Sequence, residues 1–136
     1  MPRLQFIPIY QLAAAVVVAI LYLTLFPDPF GEEELPLFPG ADKVAHFCMF
    51  GGLCGTIIYE RWRFCIPLSL RQALWVAVAV SIFGCMVEWL QAAMQLGRSG
   101  NDWMDALANA AGAFCAVPVG RWLHWVNVLV DDGSRK

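Results

Sequence analysis

Four stretches of this chain are apolar over nearly the length needed to cross a bilayer, about 20 residues for a hydrocarbon core of roughly 30 Å. They run about Pro8–Phe26, Lys43–Tyr59, Gln72–Leu96 and Asp102–Trp122. The first has no charged residue, the second starts at the Asp42-Lys43 pair, and the third is interrupted only by Glu88. The fourth carries Asp102 and Asp105 in its first turn. Backbone amides in lipid must be satisfied within their own segment, so the pattern predicts helices. The runs are continuously apolar and lack the alternation of barrel strands. Pro27, Pro29, Pro36, Pro39 and Gly40 keep the first connection non-helical, and Gly97 ends the third span. The tail Asp131–Lys136 is expected to fray.

Arg3 before an apolar run has the look of a secretory signal. The run is longer than a typical signal core, and Phe26-Pro27-Asp28 is not a small-x-small cleavage site, so an uncleaved anchor is expected. The predicted fold is an all-α integral membrane protein: a four-transmembrane-helix bundle forming a single domain over residues 1–136.

Composition excludes the main alternatives. Of 136 residues, 60% are apolar and only 15% charged, against about 45–50% and 25% in soluble domains. A chain this small cannot hide that much apolar surface by folding on itself, and mean hydropathy is +0.60. A net charge of −2 provides no basic patch, so no nucleic-acid partner is expected. The five cysteines Cys48, Cys54, Cys65, Cys85 and Cys115 have no C-x-x-C spacing and read as small buried hydrophobes.

Charge also orients the chain. Of nine basic residues, seven (Arg3, Arg61, Arg63, Arg71, Arg121, Arg135 and Lys136) fall on one side of the predicted spans. Only Lys43 and Arg98 fall on the other, with Asp28 and Glu32-Glu33-Glu34. The positive-inside rule then puts both termini in the cytoplasm. Trp62, Trp75, Trp122 and Trp125 lie near the inner boundary and Trp103 near the outer one, as interfacial anchors would. Gly51 and Gly55 on the second span, and Ala108, Gly112 and Ala116 on the fourth, have the spacing that lets helices approach closely. Gly51, Gly55 and Gly112 are therefore candidates for contact between copies of the chain.

Ionisable residues are costly inside a span and mark function by default. Here they line up. Asp42 and His46 are four apart; Glu88, Gln91 and Gln95 share one face, as do Asp102, Asp105 and Asn109; Arg98 stands between the last two sets. At about 1.5 Å per residue, Glu88 lies roughly 13 Å, Asn109 roughly 10 Å and His46 roughly 6 Å below the outer surface. One outward-facing polar cavity would keep all three stripes out of lipid, with the inner halves of these spans free of ionisable groups. Each residue also has a plain structural role: Asp102 as a helix cap, Lys43 as an interfacial residue, Asn109 as an interhelical hydrogen bonder. Glu88 is hardest to dismiss, because a carboxylate at that depth needs a partner or a proton.

These residues also carry a family resemblance. Asp42-Lys43-Val44-Ala45-His46-Phe47 resembles the D-K-x-x-H-F motif of the VanZ-like family, and Glu88-Trp89-Leu90-Gln91 its E-x-x-Q motif. The stretch from Arg98-Ser99 through Asp105, Ala108 and Asn109 to Gly112 is similar to its third motif. The resemblance covers about residues 42–120, in the family's order. It implies a small multi-pass protein of the bacterial cytoplasmic (inner) membrane with its polar residues extracytoplasmic, in a family whose founding member is associated with resistance to teicoplanin.

Two functional expectations follow. The first is recognition of an envelope lipid or lipid-linked precursor by Asp42, Lys43, His46, Glu88, Gln91, Arg98, Asp102, Asp105 and Asn109, with Lys43, His46 and Arg98 suited to a phosphate or carboxylate. The second is a hydrolase or transferase acting on a lipid-linked envelope substrate, with Glu88 as acid and Asp105 or His46 as base. No cofactor is expected. A divalent metal on Asp42, His46, Glu88 and Asp105 is the variant the donor types allow, although no compact H-x-x-x-H signature is present. A purely structural role in a membrane complex is the third reading.

Overall fold

A computed structural model describes residues 8–26, 38–94 and 103–133. They form four helices and, among the described residues, no strand: α1 (Gln11–Leu25), α2 (Ala41–Arg63), α3 (Leu70–Ala93) and α4 (Trp103–Gly133). Successive helices run antiparallel. Glu60 near the end of α2 reaches the start of α1, and Glu88 late in α3 meets residues early in α2 and α4.

Local chemistry moves several boundaries from those hydropathy predicts. Ser69 and Gln72 form a reciprocal capping box, the Ser69 hydroxyl accepting from the Gln72 N–H at 3.3 Å and the Gln72 side chain accepting from the Ser69 N–H at 3.0 Å. Helix α3 therefore starts at Leu70 rather than at Gln72. Helix α2 runs past Tyr59 through the polar stretch Glu60–Arg63. It stops at a Schellman turn: the Cys65 N–H donates to the Trp62 carbonyl and the Ile66 N–H to the Arg61 carbonyl, both at 2.9 Å. Cys65 takes the left-handed position of that turn, with φ 58°. Helix α4 continues well beyond Trp122 to Gly133, so the expected fraying from Asp131 does not begin there. No glycine or proline interrupts residues 121–132. Pro118 lies inside α4 and leaves the Phe114 carbonyl without its usual helical donor.

Helices α2 and α3 each touch all the others, whereas α1 and α4 do not meet among the described residues. The α2–α4 contact is the most extensive and is made backbone to backbone. A methyl group at Gly51 would lie 3.0 Å from the Gly112 carbonyl oxygen, and one at Gly112 would collide with the Phe47 carbonyl oxygen. Two of the three glycines predicted as contact positions, Gly51 and Gly112, thus face each other within one chain. Phe50, Leu53, Cys54, Ala77, Val80, Ala113 and Val117 fill the space between α2, α3 and α4.

Large apolar side chains cover the outside. Leu74, Trp75, Ile82, Met86 and Trp89 form an exposed stripe along α3, and Trp103, Leu107, Phe114, Val119 and Trp122 do the same along α4. Helices α3 (Leu70–Ala93) and α4 (over Trp103–Val130) are long and apolar enough to cross a membrane. Helix α1 is apolar, but its 15 residues span only about 22 Å. Helix α2 has the length, and its charged ends and internal His46 hold down its hydropathy.

Candidate functional site: a polar cluster across three helices

The polar stripes predicted on the second, third and fourth spans converge at one end of the bundle. His46, Glu88, Gln91, Asp105 and Asn109 are all buried, and Asn109 is wholly so. Glycine at position 84 makes this possible: a methyl there would sit 2.9 Å from Asn109 Cβ and 3.1 Å from the Phe50 ring. Without it, Asn109 could not lie between α2 and α3. The Gly51–Gly112 contact one turn further in holds α2 and α4 close enough for their side chains to meet.

At the centre, His46 Nδ1 lies 3.0 Å from Asn109 Oδ1 and 3.2 Å from Glu88 Oε1. Asn109 Nδ2 in turn donates to Glu88 Oε1 at 3.5 Å. Nδ1 thus faces the Asn109 carbonyl oxygen and the Glu88 carboxyl group, and donates to them in the tautomer that carries its hydrogen there, with the Asn109 amide nitrogen left for Glu88. The ring plane is steadied from below by Phe50, nearly parallel at 3° with centroids 6.4 Å apart.

The other ring nitrogen faces outward. Nε2 lies 3.7 Å from Asp42 Oδ1, beyond hydrogen-bond reach. Asp42 is solvent-exposed, with 72% of its side chain accessible. Asp105, opposite on α4, takes Lys43 Nζ at 3.3 Å. Asp42, His46 and Asp105 each offer one donor atom, all within 4.8 Å of one another. Glu88, expected among the metal donors, is instead on the Nδ1 side of the ring. The ionisable members of the cluster among the described residues are thus three carboxyl groups, one lysine and one histidine.

Gln91 was expected beside the ligand. Its amide nitrogen donates to the Thr24 carbonyl of α1 at 2.6 Å, satisfying one of the acceptors that a helix C-terminus leaves open. Arg98 and Asp102, like the neighbouring Gln95, lie outside the described residues.

Glu60 was missed altogether. It is completely buried, and its two oxygens accept from the α1 amides of Leu12 at 2.8 Å and Ala13 at 3.2 Å. The end of the bundle opposite the polar cluster is therefore not free of ionisable groups. Surrounded in sequence by Arg61 and Arg63, Glu60 reads as a solvated neighbour of basic residues. A signal was nonetheless present: His46, Leu53 and Glu60 recur every seven residues, which puts them on one face, and all three are buried.

The chain matches no family model, no curated protein and no solved structure.

Proposed function

We propose that this chain is a four-span protein of the bacterial cytoplasmic membrane, with both termini in the cytoplasm, whose polar cluster faces outward and recognises the headgroup of an envelope lipid or lipid-linked precursor. The carrying observation is the convergence of Asp42, Lys43, His46, Glu88, Asp105 and Asn109 from three helices at one end of a bundle coated with large apolar side chains. Polar residues inside and tryptophans outside suit lipid as the surrounding solvent. Asp42 and Lys43 reach solvent while His46, Glu88 and Asn109 stay buried, which gives the cluster an open side and a fixed floor. The excess of basic residues at the opposite end supports the orientation. The VanZ-like resemblance supports the same reading, since its three motifs supply this cluster, and it connects the site to the response to teicoplanin.

One feature favours catalysis as the second reading. The Glu88–His46 pair has the form of an orienting carboxylate on a histidine base, which would make His46 the base and Glu88 its positioning partner. The roles differ from those expected on sequence, where Glu88 is the acid.

Native mass spectrometry of the detergent-purified protein with an equimolar mixture of phosphatidylglycerol, cardiolipin and a polyprenyl phosphate tests the leading reading. Selective retention of one lipid, lost in Asp105→Asn, is expected. Equal retention of all three by both proteins would contradict it. Turnover of a lipid-linked phosphate that Glu88→Gln abolishes would move the assignment to an enzyme.

A further inference from the structure

We propose that Asp42, His46 and Asp105 form a binding site for a divalent transition-metal cation of the zinc or manganese class, with Glu88 and Asn109 orienting His46 rather than coordinating. The first argument is the direction of the imidazole. Nδ1 is turned toward Glu88 and Asn109, which leaves Nε2 as the ring atom directed at Asp42. Nε2 and the Asp42 carboxylate oxygen, 3.7 Å apart, lie beyond direct hydrogen-bond reach. A cation between them satisfies both. Histidines that bind metals characteristically donate their second ring N–H to a carboxylate or carbonyl, which fixes the tautomer. Here that arrangement is already built, with Asn109 wholly buried behind it.

The second argument is distance. One donor atom from each of Asp42, His46 and Asp105 lies within 4.8 Å of the others. Tetrahedral coordination at bond lengths of about 2.0–2.2 Å puts donors roughly 3.4 Å apart. Asp42 is exposed and sits one turn before His46 on the same helix, so a side-chain rotation brings its oxygen inward. Asp105 keeps one oxygen on Lys43 and has a second to offer. Three protein donors leave a coordination position open on the solvent side, as in metal sites that accept an exogenous ligand. One imidazole with two carboxylates suits zinc or manganese better than magnesium or calcium, which favour all-oxygen sets.

The third argument is charge. Among the described residues Lys43 is the cluster's one side chain that is always cationic, beside three carboxyl groups. A bound dication reverses that balance and gives the headgroup oxygen a partner. This last step rests on the lipid reading above; cation binding itself does not.

The test uses the full-length protein in detergent, stripped with a chelator and titrated with zinc chloride or manganese chloride, with binding read by calorimetry and metal content by elemental analysis. One equivalent of one of the two metals is expected. Asp42→Asn, a change at an exposed side chain, should weaken affinity at least about tenfold, and Glu88→Gln about 10–100-fold. Melting temperatures of the stripped proteins separate lost donors from lost structure. Absence of stoichiometric binding of either metal, or unchanged affinity in Asp42→Asn, overturns the site. A second arm measures polyprenyl phosphate retention with and without the metal. Metal-dependent retention supports the whole proposal. Metal binding with metal-independent retention upholds the cation site and removes its link to the lipid, and retention by a protein that binds no metal leaves the lipid reading standing alone.

Discussion

The Glu60 carboxylate and the Leu12 amide, 48 residues apart in sequence, are joined by a 2.8 Å hydrogen bond at the N-terminus of α1. The second oxygen takes the Ala13 amide, so one buried side chain satisfies two of the open donors at that helix end and sits where the helix dipole favours negative charge. Glu60→Ala should therefore destabilise the protein by about 2–4 kcal/mol, and Glu60→Gln by about half as much because one carbonyl oxygen remains. Thermal unfolding in detergent, with proteolysis at the loosened α1 as a second readout, checks this. Full stability in Glu60→Ala would show that α1 is held by its apolar contacts alone.

The glycines predict a graded series. A methyl at Gly112 meets the Phe47 carbonyl, and one at Gly84 meets Asn109 and Phe50, whereas one at Gly52 meets nothing within 4 Å. Gly112→Ala should cost about 3 kcal/mol or more and Gly84→Ala about 1–3 kcal/mol. Gly52→Ala should be neutral, or stabilising by up to about 1 kcal/mol from helix propensity. Melting temperatures in that order support the α2–α4 packing described. A Gly52 variant worse than the Gly112 variant would mean that the outer face of α2, not the inner one, makes the close contact.

Cys65 occupies a left-handed position, φ 58°, in the turn that ends α2. A side chain there costs roughly 1–2 kcal/mol, and glycine recovers part of that against its greater freedom when unfolded. Cys65→Gly should raise stability by about 0.5–1 kcal/mol. Gly40 carries φ 88° at the other end of the same helix, and Gly40→Ala should lower stability by a similar amount. Paired melting curves test both signs.

The tautomer of His46 is a direct spectroscopic prediction. With Nδ1 facing two acceptors, nitrogen chemical shifts of the imidazole should report a proton on Nδ1, read cleanly in a His124→Gln background. Asn109→Leu removes one acceptor and should blur that preference, with a loss of about 1–3 kcal/mol for the unpaired buried groups. A proton fixed on Nε2 instead would break the account of how Glu88 and Asn109 orient the ring.

The polar cluster was legible because helical periodicity alone brings Asp42 and His46, Glu88 and Gln91, and Asp105 and Asn109 onto three faces. Burial cost then forces those faces together. Gln91 was assigned to that cavity because periodicity places a residue on a face and leaves open which neighbouring backbone its amide will reach. Helix ends were displaced for a related reason. Hydropathy ends a span at the first charges, but α2 continues through Glu60–Arg63 until a left-handed residue turns the chain. Glu60 itself was hidden by context: its partners are backbone amides on another helix, which leave no trace in side-chain chemistry. Gly84 was overlooked for the same reason, since its importance lies in the side chain of Asn109 that it admits.

The central claim, an outward polar cluster that holds an envelope-lipid headgroup, is tested most directly by an experimental structure of the protein with a polyprenyl phosphate. The account predicts headgroup density beside Asp42, His46 and Asp105, with the Glu88–His46–Asn109 contacts preserved beneath it. A lipid phosphate resolved at the Glu60 end of the bundle, with the cluster closed on its own hydrogen bonds, would contradict it.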